Sequence, residues 1–175
     1  NSNGTIVAIG AFKNNSSTGT TYIYEWNGTA WVLKGSQING LTDGEESGFS
    51  VSINSAGTIV AIGAYRNDDA GQWNYGTTRI YEWNGTAWAL KGSQINGLTS
   101  GEYFGTAVSI NSTGTIVAIG AYSYNSSTGT TRIYEWNGTA WTLKGSQING
   151  LTSGEDSGQS VSINSTGTIV AIGAY

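Results

Sequence analysis

One stretch of about 55 residues recurs three times along this chain of 175 residues, and a fourth copy begins near its end. The string GTIVAIGA starts at Gly4, Gly57, Gly114 and Gly167, so the successive steps are 53, 57 and 53 residues. Repeats of this length are usually supersecondary units that bury their apolar faces against neighbouring copies. We therefore expect one repeat array, part of a longer chain, with repeats at approximately 1–46, 47–103 and 104–156 and a partial repeat at 157–175.

The composition favours a folded and weakly charged protein. Charged residues make up 10% of the chain, against about 25% in an average soluble domain. The hydrophobic fraction of 38%, with periodic Trp and Tyr, argues against disorder. A net charge of −4 without a basic run predicts no nucleic-acid partner. The short apolar runs predict no membrane insertion of this segment. We expect an extracellular or cell-surface location, because hydroxyl and amide side chains replace most charges.

The start of each repeat reads as a β-hairpin. The segment SVSIN alternates apolar and polar residues, which is typical of a strand with one buried face. The segment TIVAIGA follows after a Ser-x-Gly link and is apolar on both faces, which favours a strand between two layers. A three-residue loop ending in glycine would join the two strands.

The string IYEWNGTAW predicts a second hairpin, with Asn-Gly in a type I′ turn. A two-residue turn would place Trp26 opposite Thr29 and Tyr24 opposite Trp31. Tyr24, Trp26, Trp31 and Leu33 would then share one face, and Glu25, Val32 and Lys34 the other.

Four antiparallel strands in each repeat predict an all-β fold built of β-propeller blades. Closure of a propeller takes about four to eight blades, so these repeats would need further repeats or further chains to close a ring. An open β-solenoid-like stack is the structural alternative, although its coils are usually shorter.

The run Phe104–Tyr122 resembles the FG-GAP-type repeat of integrin-like propellers. Phe104-Gly105 matches the opening of that motif, and Gly120-Ala121-Tyr122 matches its Gly-Ala-Pro ending except for the proline. The other copies open with Ser47-Gly48 and Ser157-Gly158. The chain also resembles repeat arrays of secreted microbial surface proteins. The resemblance implies a propeller fold and a role in adhesion or scaffolding. The calcium loop of the family is absent, and the nearest segment is Asn67-Asp68-Asp69.

Glu45, Glu102 and Glu155 occupy the same place in every linker between repeats. They are candidate calcium ligands, since Ca²⁺ prefers oxygen donors. The alternative is a carboxylate that accepts backbone hydrogen bonds in a glycine-rich turn, and one fixed carboxylate falls short of the roughly six to eight oxygens that calcium takes. On the hairpins, Glu25, Glu82 and Glu135 are expected to pair with Lys34, Lys91 and Lys144, and no catalytic residue is predicted.

Trp73 and Tyr75 lie in the one enlarged loop, outside the repeat pattern. They are the candidate ligand-binding pair, whereas the repeated Trp and Tyr are expected to pack between repeats. Asn14, Asn15 and Asn125 begin Asn-x-Ser sequons in the variable loops and are the candidate sites for N-linked glycans.

These features predict a non-enzymatic structural protein of a cell-surface layer, filament or adhesin. It would act by self-association or by multivalent contact with other surface proteins or glycans, because near-identical repeats present one surface many times. The alternative is a carbohydrate-binding, lectin-type propeller.

Overall fold

A computed structural model of the chain describes residues 1–68 and 73–175. Its strands are β1 (Ile6–Ala11), β2 (Thr20–Trp26), β3 (Trp31–Leu33), β4 (Ile38–Asn39), β5 (Ser50–Ile53), β6 (Ile59–Ala64), β7 (Thr77–Trp83), β8 (Trp88–Leu90), β9 (Ile95–Asn96), β10 (Ala107–Ile110), β11 (Ile116–Ala121), β12 (Thr130–Trp136), β13 (Trp141–Leu143), β14 (Ile148–Asn149), β15 (Ser160–Ile163) and β16 (Val170–Gly173). Two four-residue helical turns, α1 (Asn14–Ser17) and α2 (Tyr124–Ser127), precede β2 and β12.

The strands form separate antiparallel sheets, which confirms the predicted all-β fold. The second sheet has the order β5-β6-β7-β8, and β9 pairs with β7 on the same edge as β8. The third sheet, of β10 to β14, repeats this order, and the first sheet holds β1 to β4. The last sheet consists of β15 and β16. The second and third sheets therefore each have four strand positions, and two short strands share the fourth position.

The second hairpin differs from the predicted one. Trp26 pairs with Trp31 and Tyr24 with Leu33, so the connection has four residues rather than two. The Asn27 side chain explains the difference, because its Oδ1 accepts hydrogen bonds from the backbone N–H groups of Thr29 and Ala30. The predicted type I′ turn, which needs positive φ at both Asn27 and Gly28, is therefore wrong, since only Gly28 has positive φ.

The predicted faces of this hairpin are nevertheless confirmed, because a shift of two residues leaves the side-chain alternation unchanged. The first hairpin also has a longer loop than predicted. Asn54 N–H donates to the carbonyl of Ile59, which leaves four residues in the loop between β5 and β6. The Asn54 side chain again accepts hydrogen bonds from the loop backbone, at Thr58 and Ile59.

Consecutive sheets pack against each other through two different faces. The face towards the previous sheet is here called the preceding face, and in the second repeat it contains Val60, Ile62, Tyr81 and Trp88. The face towards the next sheet is called the following face, and there it contains Ile59, Ala61, Ile80 and Ile95. The preceding face of the second sheet packs on Ile6, Ile23 and Ile38 of the first.

The sheets approach closely where the glycine of the IVAIGA strand meets the glycine that opens the next repeat. A Cβ atom on Gly63 would collide with the backbone carbonyl of Gly105, and Gly10 and Gly120 meet Gly48 and Gly158 in the same way. The Ser50 hydroxyl donates to the Gly105 carbonyl at 2.7 Å across this gap. Ser52 Oγ accepts a hydrogen bond from Ile110 N–H, 3.1 Å away, in the next sheet.

We predict that Gly63→Ala destabilises the protein by about 1–3 kcal/mol or more, because overpacking against backbone cannot be relieved by a rotamer change. Gly173→Ala is the matched control, since the equivalent Cβ would crowd the Ser160 hydroxyl, which can rotate away, and meets the backbone only at ordinary contact distance. Urea denaturation followed by Trp fluorescence would measure both variants. Equal stability of the two would contradict the close approach of the backbones.

Candidate functional site

The linker glutamates are anchored in the junctions between repeats. The Glu45 carboxylate accepts two hydrogen bonds from the Arg79 guanidinium, at 2.7 and 3.0 Å. It also accepts from the Leu41 backbone N–H, the Thr42 hydroxyl and the Asn67 side-chain amide. Arg79 lies on β7, in the repeat after the linker, so this pair joins two repeats. Both side chains are buried.

The next junction repeats this geometry. The Glu102 carboxylate accepts hydrogen bonds from Arg132 at 2.8 and 3.0 Å. It also accepts from the Leu98 backbone N–H and the Thr99 hydroxyl. Arg132 lies on β12 at the position that Arg79 has on β7, and both members of the pair are buried. The linker glutamate and the strand arginine therefore form one recurring contact.

The Glu45 carboxyl is held in its ionised form. Burial alone raises its pKa, but the hydrogen bonds and charge of Arg79, with those from Leu41 and Asn67, lower the pKa below its usual value. A buried charge of this kind is tolerated only when it is paired and hydrogen-bonded. The buried Glu45 carboxylate therefore requires Arg79 as its counterion.

Glu155 is not paired in this way among the described residues. It accepts hydrogen bonds from the backbone N–H groups of Leu151 and Thr152, at 2.7 and 3.0 Å, which lower its pKa. No arginine of the described residues reaches it. In the first repeat, Tyr22 occupies the position that Arg79 and Arg132 hold in the next two repeats. Within residues 1–68 and 73–175, the buried ion pair is thus present between repeats one and two and between repeats two and three.

A second contact recurs between the outer hairpins. The Trp88 indole N–H donates to the Lys34 carbonyl of the previous repeat at 2.8 Å, and Trp141 donates to the Lys91 carbonyl at 2.9 Å. Trp83 covers Gly35, and the Lys34 ammonium lies 5.2 Å from the Trp83 ring centroid. The repeated tryptophans therefore pack between repeats, as predicted.

The strand glutamates pair with lysines, which confirms the expectation from the sequence. Lys34 Nζ lies 2.8 Å from Glu25, and Lys91 and Lys144 lie 2.7 Å from Glu82 and Glu135. These pairs are partly exposed and lie on the following face, opposite to the tryptophans of their own hairpin, and Lys34 and Lys91 reach the Trp83 and Trp136 rings of the next repeat. They differ in this respect from the buried pairs formed by the linker glutamates.

A row of aromatic rings crosses the repeats at the ends of the IVAIGA strands. Its members are Phe12, Phe49, Tyr65, Tyr103 and Tyr122, and neighbouring ring centroids lie 4.2 to 5.7 Å apart. Sequence reasoning missed this row, because Phe49 and Tyr103 stand at linker positions that vary among the copies. Tyr103 and Tyr122 are stacked, and the other neighbouring rings are tilted or edge-to-face. These aromatic contacts join consecutive repeats.

The structure places the two predicted ligand-binding aromatics differently. The Trp73 side chain is 76% exposed. Tyr75 is half-buried, and its hydroxyl donates to the Leu98 carbonyl at 2.7 Å. Trp73 therefore offers an open ring face, whereas Tyr75 fastens the loop to the linker. Neither observation identifies a ligand, so the pair stays a prediction.

The sequon candidates are exposed, although they are not equivalent. The Asn14 side-chain amide donates to the Thr20 hydroxyl at 3.0 Å, which ties it to the fold. Asn15 and Asn125 have left-handed backbone angles at the tips of α1 and α2. Glycosylation of the three residues stays a prediction.

Calcium binding by Glu45, Glu102 and Glu155 also stays a prediction. The geometry favours the alternative, in which each carboxylate accepts backbone hydrogen bonds in its own linker. Hydrogen-bond donors surround the first two carboxylates, and arginine supplies the countercharge. Within residues 1–68 and 73–175, no group of three or more acidic, histidine or cysteine side chains is arranged to hold a metal ion. Asp69, in the segment nearest to a calcium loop, lies outside the described residues.

No described helix has the length and apolar character needed to cross a membrane. In comparisons with known proteins, no protein-family model matches the chain, and no significant match was found among curated proteins. The interpretation of the site therefore depends on its geometry.

We predict that Glu102→Gln destabilises the protein by about 3 kcal/mol or more, because it leaves the buried Arg132 charge without its counterion. Glu135→Gln is the matched control, on the partly exposed Glu135–Lys144 pair, and should cost less than about 1 kcal/mol. Urea denaturation monitored by fluorescence and circular dichroism would measure both. Equal losses would show that the linker ion pair does not hold the junction together.

Proposed function

We propose that this protein is a non-enzymatic structural repeat protein of a cell-surface layer, filament or adhesin, which acts by self-association or multivalent contact. The observation that carries the proposal is that buried charged and aromatic side chains bind consecutive repeats to each other. Two linker glutamates, their arginine partners and the tryptophans of the second and third repeats form contacts between repeats. An extracellular location is supported by the low charge content and by the sequons in the variable loops.

On the first repeat, the preceding face is not covered by another sheet among the described residues. Ile9 is 48% exposed, whereas the equivalent Ile62 of the second repeat is 2% exposed. Val7 and Trp31, on the same preceding face, are also exposed, although the equivalents Val60 and Trp88 pack against the previous sheet. An exposed apolar face of this kind favours contact with another sheet, in the same chain or in a second copy. The inner junctions indicate what covers such a face, namely the following face of another repeat.

We further propose that the sheets are β-propeller blades. Each complete sheet is a meander of four rows, and serine-to-backbone hydrogen bonds hold the first strands β5, β10 and β15 side by side. Blades of four strands placed around a central axis have this arrangement. An open stack of the same sheets is the alternative.

Self-association predicts that the chain assembles in a concentration-dependent manner through the preceding face of repeat one. Ile9→Lys should weaken the assembly without unfolding the protein, because the side chain is already half-exposed. Val32→Lys is the matched control, since Val32 is 42% exposed and lies on the opposite face of the same sheet. Analytical ultracentrifugation and electron microscopy would follow the assembly. A monomer at all concentrations, or equal effects of the two variants, would contradict the proposal.

Carbohydrate binding is the second candidate function, and the exposure of Trp73 favours it. An open indole face in an enlarged loop can stack on a sugar ring, whereas the tryptophans of the second and third repeats are engaged at the junctions. Glycan-array binding that is lost in Trp73→Ala and retained in Trp26→Ala would support a lectin role for this loop. Binding that Trp73→Ala leaves unchanged would rule out that site.

A further inference from the structure

Asn-Gly pairs stand at two places in each of the three full repeats. One place is the turn of the outer hairpin, after β2, β7 and β12, and the other is the linker, at the end of β4, β9 and β14. The turn pairs are Asn27-Gly28, Asn84-Gly85 and Asn137-Gly138, and the linker pairs are Asn39-Gly40, Asn96-Gly97 and Asn149-Gly150. A seventh pair, Asn3-Gly4, has no counterpart in the other repeats. Asparagine is thermolabile, and a following glycine leaves its own backbone nitrogen unshielded.

The glycine nitrogens of the turn pairs are open to solvent. The N–H groups of Gly28, Gly85 and Gly138 make no hydrogen bond among the described residues. All three glycines are exposed, and no atom lies within 4 Å of a Cβ built on any of them. Water and hydroxide can therefore reach these N–H groups, and the turn backbone has room to move.

The glycine nitrogens of the linker pairs are bound instead. Each of these N–H groups donates to the carbonyl of the glycine that precedes the long strand of its own repeat. The three bonds, with N···O distances of 2.9 to 3.1 Å, join Gly40 to Gly19, Gly97 to Gly76 and Gly150 to Gly129. The backbone is also tightly packed there, since a Cβ on Gly40 would lie 2.1 Å from the Thr18 carbonyl oxygen. A bound N–H must open before a base can reach it.

The side-chain carbonyls of the two kinds of asparagine are alike in their contacts. Asn27 Oδ1 accepts hydrogen bonds from the N–H groups of Thr29 and Ala30, at 3.0 and 2.9 Å. Asn39 Oδ1 accepts one from the Thr20 hydroxyl at 3.1 Å. Donors of this kind stabilise the negative charge that develops on a carbonyl oxygen when a nucleophile adds to the carbon. The state of the glycine nitrogen is therefore what distinguishes the turn pairs from the linker pairs.

We propose that Asn27, Asn84 and Asn137 are sites of spontaneous deamidation in the folded protein, and that the fold protects the three linker asparagines. Gly28 N gives its proton to hydroxide and forms a bond to Asn27 Cγ. The bond from Cγ to Nδ2 then breaks, and the amide nitrogen leaves as ammonia with a proton from water. Water adds to either carbonyl of the cyclic imide and opens it to aspartate or isoaspartate. The reaction is a hydrolysis in which no atom is oxidised or reduced, and it does not depend on the proposed self-association.

The product determines what happens to the hairpin. Aspartate keeps an oxygen in the place of Asn27 Oδ1, so the hydrogen bonds from Thr29 and Ala30 are retained. Isoaspartate carries the main chain through the former side chain and lengthens it by a methylene group, so that turn loses its capping carbonyl. Each event also adds one negative charge to a chain of net charge −4. Deamidation therefore changes the charge of the outer hairpins, and isoaspartate also removes the hydrogen bonds that shape the turn.

The chain provides its own controls, because both kinds of asparagine are followed by glycine. The folded 175-residue chain would be incubated in mildly alkaline buffer, beside a sample unfolded in guanidinium chloride. Trypsin then places each of the six pairs in a separate peptide, since Lys or Arg lies between successive pairs. Fragment mass spectra over time give the rate of deamidation at each asparagine, and a sample digested at the start corrects for deamidation during digestion.

In the folded chain, we expect the turn asparagines to deamidate at least about tenfold faster than the linker asparagines, as the need to break one backbone hydrogen bond would produce. In guanidinium chloride the difference should disappear. Linker asparagines that react as fast as the turn asparagines in the folded chain would overturn the inference. So would turn asparagines that react only after unfolding. A preference of equal size in guanidinium chloride would also overturn it, because the local sequence and not the fold would then set the rates.

Discussion

Consecutive sheets approach each other closely at pairs of glycines, and this spacing constrains the other contacts between repeats. Packed sheets usually lie about 10 Å apart, a distance across which a serine hydroxyl does not reach the next backbone. At Gly63 and Gly105 the backbones are close enough for the Ser50 hydroxyl to bridge them. The same junction holds the ion pair between Glu102 and Arg132. We expect a side chain at either glycine to move the two sheets apart and to weaken that pair.

The buried Glu–Arg pair contributes more to register than to net stability. Removing both charges from water is costly, and the attraction between them only partly offsets that cost. A pair of apolar side chains could hold two sheets together, but it would tolerate sliding. The guanidinium of Arg79 must meet two carboxylate oxygens in one plane, so it fixes one position of the strand relative to the linker. The repeated pair at Glu102 fixes the next sheet in the same way.

Much of the fold could be predicted from the sequence, because it depends on local periodicity. The alternation of Tyr24, Trp26, Trp31 and Leu33 gave the correct faces even though the turn was wrong, since those faces depend only on the parity of the register. The turn itself depends on hydrogen bonds of the Asn27 side chain, which compete with the backbone pattern of a type I′ turn. The Glu45–Arg79 pair spans 34 residues and two repeats, so it has no local signature. What the sequence shows of this pair is that Tyr22 of the first repeat is replaced by Arg79 and Arg132 in strands that are otherwise identical.

The two faces of each repeat are different, so the contact between repeats is heterologous. A heterologous contact produces a ring when the rotation between units closes and an open filament when it does not. The same glycines, serines and ion pairs are therefore compatible with a closed propeller and with an extended stack. In either arrangement the contact has a direction, because Arg79 and Arg132 each pair with the glutamate of the linker before them. Tyr22 stands at the corresponding position of the first repeat, so that repeat cannot make this ion pair with a preceding linker.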